Sequence, residues 1–150
     1  MKLVIGGAYQ GKRAYADRSY KVNDGWMDGQ SGSLEDLQNC RGIDQFHEWI
    51  KRLIFESERT EWKIADSMMP VLRSTEDLSE IEQWAEAFAG WLYQNHPGLV
   101  IVSTELGCGI VPMEKKDRIW REAVGRICTE LAKYSDEVVR VVCGLGMRLK

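Results

Sequence analysis

The sequence predicts a single α/β domain over residues 1–150, with a mostly parallel sheet and helices on both of its faces. Three apolar runs have the length of strands that are buried on both faces, namely residues 2–5, 99–103 and 138–142. Three longer stretches repeat apolar residues at the helical spacing of three and four, namely residues 44–56, 75–95 and 114–134. Because helices alternate with buried strands, we expect crossover connections and therefore parallel strand pairs.

The composition is that of one ordinary globular domain. Of the 150 residues, 44% are hydrophobic and 29% are charged, and the net charge is -3. The acidic excess lies between residues 34 and 97, whereas the small basic excess lies in the two flanking segments. A nucleic-acid surface needs a continuous basic field, so we expect no nucleic-acid partner and favour a small phosphate ligand.

Cysteine spacing and hydropathy exclude further classes of protein. The four cysteines are dispersed and form no Cys-x-x-Cys pair, which predicts reduced thiols rather than a zinc site or a disulfide framework. No apolar run approaches the roughly 18 residues of a membrane-spanning helix, and the opening run stops at Gly6 and Gly7. We therefore expect no membrane partner and a cytoplasmic location.

Local signals place the elements in order along the chain. A helix over residues 13–18 follows the first strand and its glycine loop, and residues 23–33 predict a long flexible loop because they carry three glycines and two aspartates. Ser33 begins a short capped helix, and Asp44 is predicted to cap a helix that reaches about Glu56.

The second half of the chain has the clearer periodicity. Ser79 and Glu82 fit a capping box within the helix over residues 75–95. The aromatic stripe of this helix predicts core or subunit interface rather than a platform for a corrin ring. A strand over residues 99–103, a helix over 114–134 and a strand over 138–142 complete the fold.

The glycine loop after the first strand is the strongest functional signal. Seven residues fit the phosphate-binding pattern Gly-x-x-x-x-Gly-Lys-[Ser/Thr], namely Gly6, Gly7, Ala8, Tyr9, Gln10, Gly11 and Lys12, and Arg13 takes the eighth position. Glycines let backbone N–H groups surround a phosphate, and the lysine and the helix N-terminus add positive charge. The pattern predicts a P-loop NTPase-like fold that binds a nucleoside triphosphate, with a turn that binds nothing as the alternative.

Arg13 changes what this loop is expected to do with Mg²⁺. Its side chain lacks the hydroxyl that ligates the metal in ordinary P-loop kinases, while its cation can itself neutralise phosphate oxygens. We therefore expect nucleotide binding that depends less on Mg²⁺.

Other candidate residues lie beyond the loop. Glu105 follows the buried strand over residues 99–103, at the edge where parallel sheets bind ligands, and is a candidate to hold Mg²⁺ or its waters. A carboxylate that caps the loop backbone is the alternative. Arg118 and Arg121 share one helical flank and are candidates to hold nucleotide phosphates, with a solvated charged face as the alternative.

The chain contains two histidines. His47 lies beside an apolar helical stripe, where it is either a phosphate-accepting nucleophile or a half-buried structural residue. His96 precedes Pro97 at the end of a helix, which predicts a place at the amino-terminal edge of the sheet, away from the nucleotide.

Taken together, four segments resemble one family. They are residues 6–12, the stretch Val-Ile-Val-Ser-Thr-Glu-Leu-Gly-Cys-Gly-Ile-Val-Pro over 100–112, the Arg-x-x-Arg-x-x-x-Gly-Arg helix over 118–126, and the closing residues 136–150. The family is the bifunctional adenosylcobinamide kinase and adenosylcobinamide-phosphate guanylyltransferase of cobalamin biosynthesis. The resemblance implies a P-loop α/β fold, ATP or GTP with Mg²⁺, a corrinoid alcohol as phosphoryl acceptor, GTP as guanylyl donor, and a homotrimer. The catalytic candidates for such a reaction are Lys12 of the glycine loop, Glu105 at the strand end and His47, although His47 lacks the flanking Arg-Pro loop of the family's guanylylated histidine.

The middle of the chain departs from the family's pattern. Members carry a His-x-x-x-Arg-Pro-type loop whose histidine becomes guanylylated, and later a strand that ends in an acidic residue and Thr. Neither can be read between Val22 and Pro97, although residues 20–23 fit the remnant of the second strand and residues 66–67 a substitute for the acidic strand end. Two functions follow: an active transferase, or a nucleotide-binding pseudoenzyme with a regulatory or scaffold role in corrinoid metabolism.

Overall fold

The computed structural model describes residues 1–56, 69, 70, 72 and 78–150, so residues 66–67 lie outside the described part. Within it, the chain forms these helices and strands in order: β1 Lys2–Ile5, α1 Lys12–Tyr20, β2 Trp26–Asp28, α2 Leu34–Asn39, β3 Gly42–Asp44, α3 Phe46–Phe55, α4 Leu78–Asn95, β4 Val100–Val102, α5 Lys115–Tyr134, β5 Glu137–Val142 and β6 Leu145–Arg148. A 3₁₀ turn, Leu106–Cys108, lies between β4 and α5. None of the described helices combines the length and the apolar character needed to cross a bilayer.

The strands form one six-stranded sheet in the order β2-β3-β4-β1-β5-β6. β1 lies between β4 and β5 and is parallel to both, with Leu3 in register with Ile101 and Val138. β6 is the exception, because it returns antiparallel to β5 through the turn at Cys143 and Gly144. The predicted α/β class with a mostly parallel sheet is confirmed.

The central strands alternate their side chains between two cores. Leu3, Ile101 and Val138 belong to the larger core, which they share with buried residues of α3, α4 and α5. Val4 and Val139 point to the smaller core, which contains Ala16 of α1. Because neighbouring residues of a strand point to opposite faces, both faces of the sheet are covered by helices, as expected.

The aromatic stripe of α4 lies in the larger core. Phe88 is fully buried, and its ring lies 5.4 Å from that of Trp84 and 5.8 Å from that of Trp49, measured between centroids. Such contacts add to the stabilisation that comes from burying large apolar side chains. The expectation of core rather than corrin platform therefore agrees with the packing.

The early region contains two short strands that the sequence analysis did not predict. β2 lies inside the segment expected to be a flexible loop, and the segment expected to be a second strand is instead the end of α1, whose C-cap is Lys21. The capped helix α2 is as predicted, with the Ser33 side chain accepting from the Asp36 N–H. Trp-Met-Asp in β2 and Gly-Ile-Asp in β3 form no apolar run, so only the pairing of these strands with each other, and of β3 with β4, identifies them.

Asp44 was expected to cap α3, and this is wrong. Asp44 ends β3, and Gln45 takes the N-cap position in a left-handed conformation without a side-chain cap bond. The aspartate is thereby placed at the carboxyl end of a parallel strand. The predicted start of α4 at residue 75 lies outside the described residues, and the described helix begins at Leu78.

Candidate functional site

The glycine loop joins β1 to α1 at the carboxyl edge of the sheet. Gly6 has φ +149°, and Gly11, the N-cap of α1, has φ +78°, so both adopt backbone conformations that favour glycine. The loop is tied to the β5–β6 turn, since Gly144 N–H donates to the Gln10 carbonyl over 2.9 Å. The helix N-terminus therefore opens toward the loop, as phosphate binding requires.

Lys12 lies inside this loop rather than in solvent. Its side chain is buried, and Nζ donates to the Gly7 carbonyl over 2.7 Å. Burial lowers the pKa of Lys12, and the nearby carboxylates of Asp44 and Glu105 oppose that shift. A buried ammonium held by the loop carbonyl is directed toward the space that the loop encloses.

The loop forms one wall of a cavity of about 490 Å³. Loop residues 8–13, Asp44, His47 and Thr104 are among its lining. The structure thus brings together the glycine loop and His47, which lie more than 30 residues apart in the sequence. Thr104 and Asp44 were not among the predicted site residues. Asp44 ends β3, and Thr104 lies two residues after the end of β4, so both lie at the carboxyl edge of the sheet, which is the signal that identifies them.

Arg13 is fixed by three groups. Its Nη1 donates to Asp44 Oδ2 over 3.2 Å, its Nε lies 3.4 Å from Asp17 Oδ2, and its guanidinium carbon lies 4.3 Å from the centroid of the Trp26 ring. Trp26 in turn donates to Asp17 over 2.7 Å. Arg13 therefore presents a positioned cation in the wall of the cavity, where a hydroxyl would stand in the standard motif.

These residues do not fit a Mg²⁺ site. Position 13 supplies no hydroxyl oxygen, and the Asp44 carboxylate is engaged by Arg13. Glu105, the predicted metal ligand, is engaged by Arg140, whose Nε and Nη2 each lie 3.1 Å from Oε2. Across the described residues, no group of three or more His, Cys, Asp or Glu side chains is arranged to hold a metal ion. Both carboxylates thus neutralise arginines and are not free to bind a metal ion.

Replacing Arg13 by serine should restore dependence on Mg²⁺, because the change adds a hydroxyl and frees Asp44 from its ion pair. We expect GTP or ATP to bind wild type with similar affinity with and without Mg²⁺, whereas Arg13→Ser should need the metal for tight binding. Titration calorimetry in Mg²⁺ and in EDTA measures this. Identical metal responses of the two proteins would show that Arg13 does not act on the ligand.

His47 is held as a neutral ring at the cavity wall. Its side chain is only 12% exposed, its Nδ1 accepts from the Thr104 N–H over 3.4 Å, and its ring stacks on Trp120. Burial, helped by the positive charge of Lys12, lowers the pKa of His47 to about 4. Since Nδ1 is an acceptor, the proton of the neutral ring is assigned to Nε2, which makes that atom a donor rather than a nucleophile.

The lowered pKa of His47 makes stability depend on pH. The folded value of about 4 lies below the unfolded value near 6.5, so the unfolded chain binds the extra proton between these values and stability falls as pH drops from 6.5 to 4. We expect His47 to account for about 3 kcal/mol across this window. Urea unfolding of wild type and His47→Gln at several pH values measures the difference. Parallel stability curves for wild type and His47→Gln would contradict this.

Arg118 and Arg121 line a second cavity and are not among the residues that line the loop cavity. Arg121 donates through Nη2 to the Gly107 carbonyl over 2.6 Å, and Arg118 donates to the carbonyls of Pro112 and Met113. Both arginines therefore brace the segment over residues 107–113, beside this second cavity. Their contact with nucleotide phosphates stays a prediction.

His96 lies where it was expected. It lines a cavity with Lys2 of β1 and Val100 of β4, both at the amino-terminal edge of the sheet. This edge is opposite the phosphate loop, so of the two histidines only His47 reaches the loop cavity.

Comparison with known proteins gives one family. The family model described as cobinamide kinase / cobinamide phosphate guanyltransferase matches residues 30–149. The bifunctional adenosylcobalamin biosynthesis protein CobU of Salmonella typhimurium is 42% identical over 52 residues, which are 35% of this chain and 29% of that protein. The protein of the same name from Escherichia coli is 40% identical over 52 residues, with the same shares. The matched segment thus spans less than a third of either relative.

The range of the family match differs from the range of the sequence resemblance. The family match begins after the glycine loop. It includes the middle of the chain, where the sequence showed no motif of the family. The family match therefore gives no support to phosphate binding by the glycine loop, and that interpretation depends on the geometry of the loop alone.

Proposed function

Since the chain belongs to the cobinamide kinase / cobinamide phosphate guanyltransferase family, we propose that it binds GTP or ATP and acts as a transferase on a corrinoid alcohol in cobalamin biosynthesis. The observation that carries the proposal is the loop cavity, in which the N-terminus of α1, the buried Lys12 and the fixed Arg13 converge. A helix N-terminus and two cationic side chains around one cavity favour a triphosphate over a neutral ligand, although Asp44 already pairs with Arg13.

The residues of the cavity suit phosphoryl transfer. In the proposed reaction, the acceptor hydroxyl oxygen bonds to the γ-phosphorus, the bond from that phosphorus to the β–γ bridging oxygen breaks, and the nucleoside diphosphate leaves. The hydroxyl proton passes to solvent. Lys12 and Arg13 stabilise the charge on the phosphate oxygens, and the Nε2–H of His47 is a further donor in the wall.

Calorimetric titration with GTP, ATP and GDP, followed by a turnover assay on adenosylcobinamide, tests the function. We expect triphosphate binding and the formation of both nucleoside diphosphate and a phosphorylated corrinoid. Triphosphate binding without any corrinoid product would instead support the pseudoenzyme, which the arginine at the hydroxyl position also favours. Absence of triphosphate binding would contradict both.

We expect no stable guanylyl-enzyme adduct during this reaction. A phosphoramidate needs an imidazole lone pair aimed at the α-phosphorus, whereas His47 Nδ1 accepts from Thr104 and Nε2 carries the proton. Incubation with GTP labelled at the α-phosphate, then denaturing electrophoresis, measures the adduct. An acid-labile label that is present in wild type and His96→Gln but lost in His47→Ala would overturn this expectation.

We also propose that the chain forms a homo-oligomer, a trimer by the family resemblance. The exposed apolar side chains of the β5–β6 edge support this, because an uncovered apolar sheet surface is typical of subunit contacts. They are Val142, Leu145, Met147 and Leu149.

A further inference from the structure

Tyr9, in the glycine loop, differs from the other four tyrosines of the chain. Those four lie in ring pairs, Tyr15 with Tyr20 at 6.4 Å and Tyr93 with Tyr134 at 5.1 Å between centroids. Tyr9 is instead fully exposed, with a relative exposure of 104%. Its ring therefore adds no buried apolar surface to the fold, and packing does not explain a tyrosine at this position.

The backbone conformation of Tyr9 is unfavourable for a residue with a large side chain. Its φ is +58°, in the left-handed region, where such a residue costs free energy relative to glycine. The other described non-glycine residues with positive φ carry no aromatic ring, and they are Lys21, Asn23, Gln45 and Cys143. A strained residue whose side chain the fold does not bury points to a function for that side chain.

Tyr9 lies in the wall of the loop cavity, three positions before Lys12. In the proposed complex, the triphosphate occupies the space between Lys12, Arg13 and the N-terminus of α1. Because Tyr9 both lines the cavity and is fully exposed, it marks a place where the cavity opens to solvent. The ribose and the base follow the phosphates in a nucleotide, so we place them at this opening rather than among the charged groups.

Tyr9 also carries the free aromatic ring of this cavity. The described lining contains two aromatic side chains, Tyr9 and His47. The ring of His47 is engaged, because it stacks on Trp120 with centroids 6.1 Å apart and its Nδ1 accepts from the Thr104 N–H. A purine base is planar and apolar on both faces, so stacking it on an exposed aromatic ring removes apolar surface of both from water. The ring of Tyr9 is the group of the lining that fits this role.

We propose that the ring of Tyr9 stacks on the purine base of the nucleotide whose phosphates the loop holds. The inference rests on the proposed function and adds the group that binds the base. Stacking uses the face of a base rather than the hydrogen-bonding edge that distinguishes adenine from guanine, so Tyr9 contributes alike to the binding of ATP and of GTP. The contact also covers the ring that is exposed in the nucleotide-free loop.

Two substitutions at position 9 test the proposal. Tyr9→Asn removes the ring, and asparagine tolerates the left-handed conformation, so the loop keeps its shape. The matched control is Tyr9→Phe, which keeps the ring and removes only the hydroxyl. Titration calorimetry with ATP, with GTP and with inorganic tripolyphosphate, which has the phosphates but no base, is run on wild type and both variants in one buffer. Urea unfolding of the three proteins reports any role of the ring in the fold.

We expect Tyr9→Asn to weaken the binding of ATP and GTP by about tenfold, while its tripolyphosphate affinity and its unfolding midpoint stay at the wild-type values. Tyr9→Phe should remain within about twofold of wild type for all three ligands. Unchanged ATP and GTP affinity in Tyr9→Asn, or an equal loss for tripolyphosphate, would overturn the stacking contact and leave the proposed function standing. A wild-type protein that binds neither ATP nor GTP would overturn the proposed function, and the stacking contact with it.

Discussion

Replacement of Lys12 by alanine is expected to weaken the binding of GTP or ATP by about tenfold to hundredfold. The change removes a buried ammonium from the wall of the loop cavity, and a hydrogen bond to a charged group contributes about 1.5–3 kcal/mol. Titration calorimetry measures the affinities. Lys21→Ala is the matched control, because Lys21 is exposed at the opposite end of the same helix.

Thermal unfolding of both lysine variants separates binding from folding. We expect Lys12→Ala to keep a melting temperature close to that of wild type, since the lost Nζ bond to Gly7 is a bond within the loop. Equal nucleotide affinity of wild type and Lys12→Ala would show that the loop does not form the phosphate site.

Replacement of Gly6 by alanine should destabilise the fold by more than about 2 kcal/mol and abolish nucleotide binding. Gly6 has φ +149°, and a Cβ atom there would lie 2.4 Å from the Val141 carbonyl oxygen of the neighbouring strand. The loop would have to move away from β5, which separates the backbone N–H groups that surround a phosphate. Urea unfolding and calorimetry measure the two effects.

Gly98→Ala is the control for this change, because a Cβ atom at Gly98 would meet nothing within 4 Å. We expect its stability to stay within about 0.5 kcal/mol of wild type. If Gly6→Ala were as stable as Gly98→Ala, the close approach of the loop to β5 would not be a requirement of the fold.

Features that depend on short stretches of chain could be predicted. The apolar runs of β1, β4 and β5 and the periodicity of α3 and α5 follow from which faces these elements bury, so their places were predicted within a few residues. The glycine loop was predicted because its glycines and its lysine lie within seven consecutive positions. The family could be read from the motifs of the last 50 residues, and the family match confirms it.

Features that depend on pairing between distant residues could not be predicted. β2 is recognised only by its pairing with β3, and β3 by its pairing with β2 and β4, so the sequence predicted a helix cap at Asp44 rather than the end of a strand. The antiparallel strand β6 escaped prediction for the same reason. These strands lack the continuous apolar run that identifies β4, which is equally short but consists of Val-Ile-Val, and their stability comes from their neighbours.

The candidate site also has some features that follow from residue order and others that follow only from tertiary contacts. The glycine-lysine pattern of residues 6–12 and the absent hydroxyl at position 13 were evident from residue order alone. Tertiary structure decided that Arg13 pairs with Asp44, that Glu105 pairs with Arg140, and that His47 accepts from Thr104, contacts that span 31, 35 and 57 residues. The physical reason is that hydrogen bonds and ion pairs act over a few ångströms, whereas the separation of their partners along the chain is set by strand order and register.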